Sequence, residues 1–170
     1  MHLAVDVYYE TASARGACIG FTRAEDEGPA FTIIEQFAGA AEGYEPGDFK
    51  KRELPYLVKL VEAARERAGE IETILVDGYV WLDGGRPGLG GHLYEALGRA
   101  IPIIGVAKTR FHSATSIEIL RGQSQSPLFI TTAGLDAPAA ADFVRGMHGE
   151  HRIPTLLRIV DHASRGLPLP

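Results

Sequence analysis

The chain up to residue 38 contains three short segments that predict strands, and positions in the first of them alternate as in a half-buried strand. Within residues 2–9, one face of the predicted strand carries Leu3, Val5, Val7 and Tyr9, and the other carries Ala4, Asp6 and Tyr8, as in a half-buried strand. We predict a turn at 13–16, a second strand at 17–23, a turn at 25–29 and a third strand at 30–38. Three consecutive strands joined by short turns predict an antiparallel meander.

Beyond residue 38 the pattern changes to an alternation of helices and strands. A Gly-rich loop at 39–48 precedes apolar residues at helical spacing in 54–67. The nearly continuous apolar runs 72–77 and 101–107 predict strands buried on both faces, with a helix at 91–98 between them. Four further elements are predicted at 116–120 and 128–132 (strands) and at 136–147 and 154–164 (helices). This order predicts an α/β fold, a mixed sheet with helices packed on its faces.

The composition is typical of a folded globular protein, with 45% hydrophobic and 23% charged residues. The length of 170 residues predicts a single domain spanning 1–170. No apolar run approaches a membrane span and no secretory signal pattern is present, so we expect a cytoplasmic protein without membrane contact, as a monomer. The formal charge of −5 argues against nonspecific coating of long nucleic acid but is compatible with a local basic groove.

Two aspartates stand out against their apolar surroundings. Asp6 interrupts the first strand, where a buried carboxylate is costly unless it is paired or bound to a metal. The alternative is an ordinary outward-facing aspartate. Asp77 follows a buried apolar run, at the end of a strand where α/β sheets bind their ligands. The alternative is a turn-forming Asp-Gly pair.

Three further charged residues lie at or near the ends of predicted elements. Glu53 precedes the helix, with Pro55 expected in its first turn, and the helix dipole alone would favour a carboxylate there. Asp161 lies in a helical segment and suits a solvated helix face equally well. Lys108 closes a strand, where it is either a solvated terminus or a contact for a phosphate. Carboxylates suit Mg²⁺, but spacing alone does not show that these residues converge.

Other catalytic chemistries find little support. Gly85 and Gly90 have the spacing of a phosphate-binding loop, but Gly91 and His92 stand where Lys and Ser or Thr are required. The sequence has no G-x-S-x-G motif and no metal-ligand spacing among its histidines. The single cysteine, Cys18, excludes an intramolecular disulfide framework and lies in a predicted core strand, where we expect it to be inert.

Several segments, taken in order, resemble the endonuclease V family, which comprises metal-dependent nucleases that act at inosine (deaminated adenine). They occur in family order and with similar gaps, from about residue 4 to about residue 163. The segments are Val5–Val7, Tyr44–Gly47 with Glu53, Leu75–Gly78, Ile101–Lys108, Ser126–Ile130, Arg152–Pro154 and Arg158–Asp161.

The resemblance implies a ribonuclease H-like fold that brings Asp6 and Asp77 together, with Glu53 approaching from its helix. By the family pattern these three bind Mg²⁺ or Mn²⁺, and Asp161 matches a later acidic or histidine position near the metal. Lys108 matches the family lysine that contacts the scissile phosphate. The implied reaction is hydrolysis of a phosphodiester bond near inosine in DNA or RNA by metal-activated water, as in nucleic-acid repair.

The same resemblance implies how the base is recognised. Tyr44 matches the aromatic wedge that fills the stack when the deaminated base is extruded, although a packed loop aromatic is the alternative. Gly47, Gly78 and Gly105 match glycines that line the base pocket, where the missing side chain lets backbone amides approach the base. His92 matches a later family histidine.

The chain departs from the family pattern after the segment Leu75–Gly78. The family reads His-Gly and then His-Pro-Arg, whereas this chain has Tyr79–Val80 and then Asp-Gly-Gly at 83–85. These changes remove a histidine and an arginine that help hold substrate, and they add negative charge. One alternative is therefore a divergent member that acts on another nucleic acid, such as structured or single-stranded RNA. Another is a non-catalytic nucleic-acid-binding module, against which the retained carboxylates argue.

Overall fold

The computed structural model describes residues 1–11, 13–38, 49–112 and 114–170, apart from the side chains of residues 49–52 and 84. No helix within these ranges is long and apolar enough to cross a membrane. The described elements, besides a short 3-10 turn at Asp83–Gly85, are β1 (His2–Tyr9), β2 (Ser13–Phe21), β3 (Phe31–Ala38), α1 (Phe49–Ala68), β4 (Thr73–Asp77), α2 (Leu89–Ala96), β5 (Ile103–Ala107), β6 (Ile117–Ile119), β7 (Leu128–Ala133), α3 (Ala137–Gly146) and α4 (Thr155–Arg165).

The seven strands form one mixed sheet in the order β3-β2-β1-β4-β5-β7-β6. The first three strands are antiparallel, β1, β4 and β5 are parallel, and β7 and β6 complete the sheet in antiparallel fashion. The mixed sheet and the initial meander predicted from the sequence are therefore confirmed. Val5 pairs with Val76, and Val76 pairs with Gly105. This register brings the carboxyl ends of the three parallel strands to the same edge of the sheet.

Both faces of the sheet are buried under helices. On one face Ala4, Leu75 and Ile104 pack with residues of α3 and α4, and on the other face the alternate strand residues pack with α1 and α2. Because successive side chains on a strand point to opposite faces, Asp6 and Asp77 face α4, two residues beyond Ala4 and Leu75 respectively.

The second strand begins earlier than predicted. Residues 13–16 were expected to form a turn, but β2 starts at Ser13 and pairs with β1 from Ala14 onward. Gly16 lies in the strand because α1 packs directly on it: a Cβ there would lie 2.8 Å from Leu60 Cδ1 and 2.9 Å from Phe37 Cε2. The glycine therefore reflects close packing rather than a turn.

Helix α1 also begins earlier than predicted, at Phe49, so Pro55 lies inside it and not in its first turn. A proline has a helical φ and removes one main-chain hydrogen bond, so it does not by itself fix where a helix starts. Glu53 consequently lies beyond the first turn of α1. The favourable effect of the helix dipole on a carboxylate falls off within that turn, so the dipole does not account for Glu53.

Candidate active site

Three carboxylates from three different elements line one cavity at the carboxyl ends of the parallel strands. Asp6 comes from β1, Asp77 from the end of β4 and Asp161 from α4, and Lys108 follows β5. The cavity has a volume of about 110 Å³. Its apolar walls include Leu75, Val106, Ile153, Leu157 and Val160. Four of the five sequence-predicted catalytic side chains are thus brought together.

Asp6 is the carboxylate most strongly affected by its surroundings. The pKa of Asp6 is raised from its ordinary value of 3.8 to about 6, chiefly by burial and to a smaller extent by the negative charges of Asp77 and Asp161. A hydrogen bond from Ser164 and the charge of Lys108 act in the opposite direction. The three carboxylates therefore share one electrostatic environment, in which a bound cation would relieve their mutual repulsion.

Two of the carboxylates are held by cationic side chains. Lys108 Nζ donates to Asp77 Oδ2 at 2.6 Å, and Arg165 Nε donates to Asp161 Oδ1 at 3.1 Å. The Arg165 guanidinium also lies 4.9 Å from the centre of the Tyr8 ring. The side chains of Lys108 and Asp77 are 42% and 44% exposed, and ion pairs at such exposure contribute only about 0–1 kcal/mol to stability. Lys108 can therefore exchange Asp77 for another anion at little cost.

The third carboxylate is held by a buried hydroxyl. Ser164, on α4, has no solvent exposure, and its Oγ donates to Asp6 Oδ2. The same Oγ lies 2.8 Å from the main-chain carbonyl of Asp161. Sequence analysis did not identify Ser164, because a serine in an amphipathic helix carries no signal of a partner that precedes it by 158 residues.

The main chain around Lys108 is fixed from two sides. The Tyr79 hydroxyl donates to the carbonyl of Thr109 and accepts from the amide of Phe111, both at 2.9 Å. Arg152 Nη2 donates to the carbonyl of Lys108. Tyr79 was noted only as a departure from the family pattern, and Arg152 only as part of a matching segment. Through these hydrogen bonds to the main chain, both residues hold the loop that carries Lys108 in place.

A buried arginine, Arg121, fixes the chain that leads into α4. Arg121 is 6% exposed, and its guanidinium donates to the carbonyls of His151 at 3.0 Å, Gly149 at 3.2 Å and Met147. Burial lowers the pKa of Arg121. This arginine holds the segment from α3 to α4 and so supports the helix that carries Asp161. It follows a three-residue strand, and no motif singled it out.

Two predicted site residues lie away from the cavity. Glu53, on α1, is half-buried, and His92, on α2, is half-buried, and both helices pack on the sheet face opposite to α4. Neither residue lines the cavity. The lining of the cavity thus includes Asp6, Asp77 and Asp161 and does not include Glu53.

The predicted base-pocket glycines lie partly outside the described residues. Tyr44 and Gly47 belong to the segment 39–48, which is not described. Gly78 has a φ of +124°, which favours glycine, and a Cβ on Gly105 would lie 2.5 Å from the Gly78 carbonyl oxygen and 2.7 Å from Thr131 Oγ1. Gly78 and Gly105 are therefore neighbours, and close backbone packing alone requires glycine at 105.

The Gly-rich segment after β4 serves the same packing. A Cβ on Gly88 would lie 2.4 Å from the Tyr79 carbonyl oxygen, and a Cβ on Gly91 would lie 2.5 Å from the Val80 carbonyl oxygen. The glycines of this segment thus enclose the main chain of Tyr79 and Val80. Close packing therefore accounts for Gly88 and Gly91 without a phosphate, whereas Gly85 has no atom within 4 Å of a Cβ and has a φ of +78°, which favours glycine.

The donor chemistry of the cavity suits a hard divalent cation, since Asp6, Asp77 and Asp161 offer carboxylate oxygens. Within the described part of the chain, however, no three His, Cys, Asp or Glu side chains are grouped so that they could hold a metal ion as they stand. Lys108 and Arg165 occupy two of the carboxylates. A cation that bound here would compete with these cationic side chains for the carboxylates, and their partial exposure permits them to exchange partners.

The fold is that of ribonuclease H-like nucleases. Endonuclease V of Ciona intestinalis, in complex with a 24mer DNA containing an inosine followed by a ribo-adenosine, is 17% identical, with a TM-score of 0.79 over 97% of this chain and 84% of that one. The catalytic domain of human endonuclease V is 22% identical, with a TM-score of 0.76 over 97% and 80%. Endonuclease V of Streptomyces avermitilis is 23% identical, with a TM-score of 0.67 over 96% and 79%.

The family itself is established by sequence. The family model described as Endonuclease V matches residues 3–136, and the chain belongs to the endonuclease V family of nucleases. The matched range includes Asp6, Glu53, Asp77 and Lys108 and ends before Asp161. No curated protein matches the chain.

Proposed function

We propose that this protein is a metal-dependent endonuclease that hydrolyses a phosphodiester bond near inosine in DNA or RNA. One observation carries the proposal: Asp6, Asp77 and Lys108 meet in one cavity at the carboxyl ends of three adjacent parallel strands. Membership of the endonuclease V family supports the reaction class. The complex of the Ciona intestinalis relative with inosine-containing DNA supports the substrate.

The residues that would hold Mg²⁺ or Mn²⁺ are Asp6 and Asp77, with Glu53 and Asp161 as further carboxylates by the family pattern. A bound divalent ion would supply an activated water molecule and offset negative charge on the phosphate. Asp6 must be ionised to bind a cation. Because its pKa is raised to about 6, we expect binding to strengthen as the pH rises through that value.

Lys108 would stabilise the charge that develops on the phosphate. Its ammonium group is bound to Asp77 Oδ2, in an ion pair that exchanges at little cost. On substrate binding we expect Lys108 to donate to a non-bridging phosphate oxygen instead, which also leaves Asp77 available as a ligand. Tyr79 and Arg152 hold the main chain on both sides of this lysine and so limit the positions that its ammonium can take.

Base recognition would take place on the opposite face of the same sheet edge. We propose that the extruded base meets the backbone at Gly78 and Gly105, with Gly47 and His92 as further contacts and Tyr44 as the wedge. The support for this is the adjacency of Gly78, which follows β4, and Gly105, which lies within β5. Base–aromatic stacking is worth about 1–3 kcal/mol, which would offset part of the cost of extruding a base if Tyr44 fills the vacated stack.

A second candidate function is cleavage of another nucleic acid, such as structured or single-stranded RNA. The observation that favours it is the ion pair between Arg86 and Asp83, 3.1 Å apart, in the segment that departs from the family pattern. Asp83 places a negative charge beside Arg86 and so reduces the positive potential that this segment offers to phosphate. Together with the formal charge of −5, this weakens attraction to ordinary duplex DNA.

A cleavage assay tests the proposal and its alternative together. End-labelled single- and double-stranded DNA and RNA oligonucleotides, each with one inosine or its normal counterpart, are incubated with Mg²⁺, Mn²⁺ or EDTA. Nicking near inosine that requires metal and is absent in Asp77→Ala would support the proposal and identify the substrate. Equal cleavage of inosine and control strands would favour the second candidate function. Binding in a gel shift without any cleavage would favour a non-catalytic module.

A further inference from the structure

Ser164 is the buried polar side chain closest to the proposed chemistry. It lies in the last turn of α4 with no solvent exposure, and the other buried residues of this helix, which include Leu156, Val160 and Ala163, are apolar. Burying a hydroxyl costs free energy unless it is hydrogen-bonded, and an alanine would pack in this environment without that cost. The buried hydroxyl of Ser164 therefore requires a hydrogen-bond acceptor.

The partner is Asp6 of β1, which lines the cavity. Ser164 Oγ donates to Asp6 Oδ2 and also lies 2.8 Å from the main-chain carbonyl of Asp161. A hydroxyl carries one proton and can fully satisfy only one of these acceptors. The carbonyl of Asp161 lies inside a helix, where the amide four residues further on is its regular donor. An ionised carboxylate is also the stronger acceptor, so the proton of Ser164 belongs to Asp6.

We propose that Ser164 is a positioning residue that orients Asp6 for binding a divalent cation. By occupying one carboxylate oxygen, the hydroxyl fixes the side chain of Asp6 and leaves its other oxygen for the ion. Because Ser164 is on α4, it also fixes the distance between that helix and β1, the two elements that carry Asp161 and Asp6. The inference rests on the proposed function, since it requires that Asp6 binds a metal.

The test is a titration with Mn²⁺ alone, without nucleic acid, followed by electron paramagnetic resonance. Wild type, Ser164→Ala, Ser164→Thr and Asp6→Asn are compared, and Tm and circular dichroism are recorded for each. Loss of a partner that orients a metal ligand typically costs about 10–100-fold in metal affinity. We therefore expect Ser164→Ala to bind Mn²⁺ about 10–100-fold more weakly, and Ser164→Thr, which keeps the hydroxyl, to stay within about threefold of wild type.

Thr73→Val is the matched control. Thr73 is also buried, at 7% exposure, but lies at the opposite end of β4 from Asp77, so loss of its hydroxyl should leave Mn²⁺ affinity unchanged. Wild-type affinity in Ser164→Ala would overturn the inference, as would equal losses in Ser164→Ala and a folded Ser164→Thr. If Asp6→Asn lost Mn²⁺ in either of those cases, the proposed function would stand. If wild type itself bound no Mn²⁺, the proposed metal dependence would fail first.

Discussion

The two faces of the sheet differ sharply at the edge where the parallel strands end. On the α4 side, Asp6, Asp77 and Asp161 each have a polar partner, and two of those partners are partly exposed cations. On the side of α1 and α2, main-chain oxygens of residues 78–80 pack against Gly88, Gly91 and Gly105 so closely that a single methyl group would overlap them. The carboxylates on the α4 side are held by two exchangeable ion pairs and a hydrogen bond, whereas the main chain on the other side is held by close packing.

This difference indicates a division of labour. Polar partners that can be exchanged allow a cation or a phosphate to enter, because little stability depends on any one of them. Close packing around the segment 78–80 instead fixes where β4 ends, and therefore where Asp77 is held. Substitutions of the partly exposed pair Asp77 and Lys108 should then reduce activity and leave stability nearly intact, whereas substitutions at the packed glycines should reduce stability.

The largest effect is expected for Asp77→Asn. Loss of a metal ligand removes several kcal/mol of transition-state stabilisation, so cleavage of an inosine-containing strand should fall by about 1,000-fold or more, with Tm unchanged within about 2 °C. Single-turnover kinetics at saturating Mn²⁺ measures this. Glu118→Gln, a carboxylate paired with Arg110 away from the cavity, is the control and should stay within about twofold. Unchanged cleavage by Asp77→Asn would contradict the metal assignment.

Lys108→Ala should lower kcat by about 100–1,000-fold with a small change in KM, because a donor to a developing charge acts mainly in the transition state. Arg99→Ala removes an exposed cation paired with Glu95 and serves as the control for charge alone. A rise in KM at constant kcat in Lys108→Ala would instead mean that the lysine contributes only general attraction to the phosphate backbone.

Asp6→Asn should stabilise the metal-free protein in a pH-dependent way. Below pH 3.8 the carboxyl is protonated in both the folded and the unfolded state, so the substitution has little effect there. As the pH rises from 3.8 through about 6, the unfolded chain ionises before the folded one and wild type loses stability. Above that pH Asp6→Asn should be more stable by about 2–3 kcal/mol, measured by urea unfolding in EDTA. If the difference in unfolding free energy between Asp6→Asn and wild type were the same at pH 4 and pH 8, folding would not raise the pKa of Asp6.

Gly105→Ala should destabilise the fold by about 1–3 kcal/mol, because its Cβ would lie 2.5 Å from a main-chain oxygen that cannot move aside. Gly146→Ala is the matched control, since a Cβ there meets nothing within 4 Å at the end of α3 and should be neutral or mildly stabilising. Thermal unfolding distinguishes the two. A wild-type Tm for Gly105→Ala would contradict the claim that close packing around Gly105 stabilises the fold.

The smallest effect is expected for Tyr79→Phe, which deletes only the hydroxyl that bridges Thr109 and Phe111. A hydrogen-bond contribution of about 0.5–1.5 kcal/mol would appear as a decrease of about 2–10-fold in kcat if the loop positions Lys108. Tyr94→Phe, on α2, is the control. A fall in Tm without a change in kcat would assign Tyr79 to stability alone.

Local patterns in the sequence predicted most of the fold. The alternation in residues 2–9 and the apolar run at 72–77 lie in β1 and β4, and both run to the carboxylates of the cavity. The errors arose where packing decided the local structure. Residues 13–16 were interpreted as a turn because of their small and polar character, whereas Leu60 covers Gly16 in a strand.

The candidate site was predictable only in part. The position of Asp6 and Asp77 on adjacent parallel strands came from the family resemblance and not from spacing. Ser164 and Arg121 could not be found in this way, because their partners are main-chain carbonyls or a carboxylate far away in the sequence. Such contacts exist only once the helices are packed, and no short motif encodes them.

The most direct test of the central claim is the rate of cleavage of two otherwise identical strands, one with inosine and one with adenosine, as Mn²⁺ is titrated. We expect a saturable increase for the inosine strand, at least about tenfold faster than for the adenosine strand, since tenfold corresponds to about 1.4 kcal/mol, the size of one hydrogen bond to the base edge. The rate should be near zero in EDTA. Cleavage that does not depend on Mn²⁺, or no cleavage of either strand at any Mn²⁺ concentration, would contradict the account.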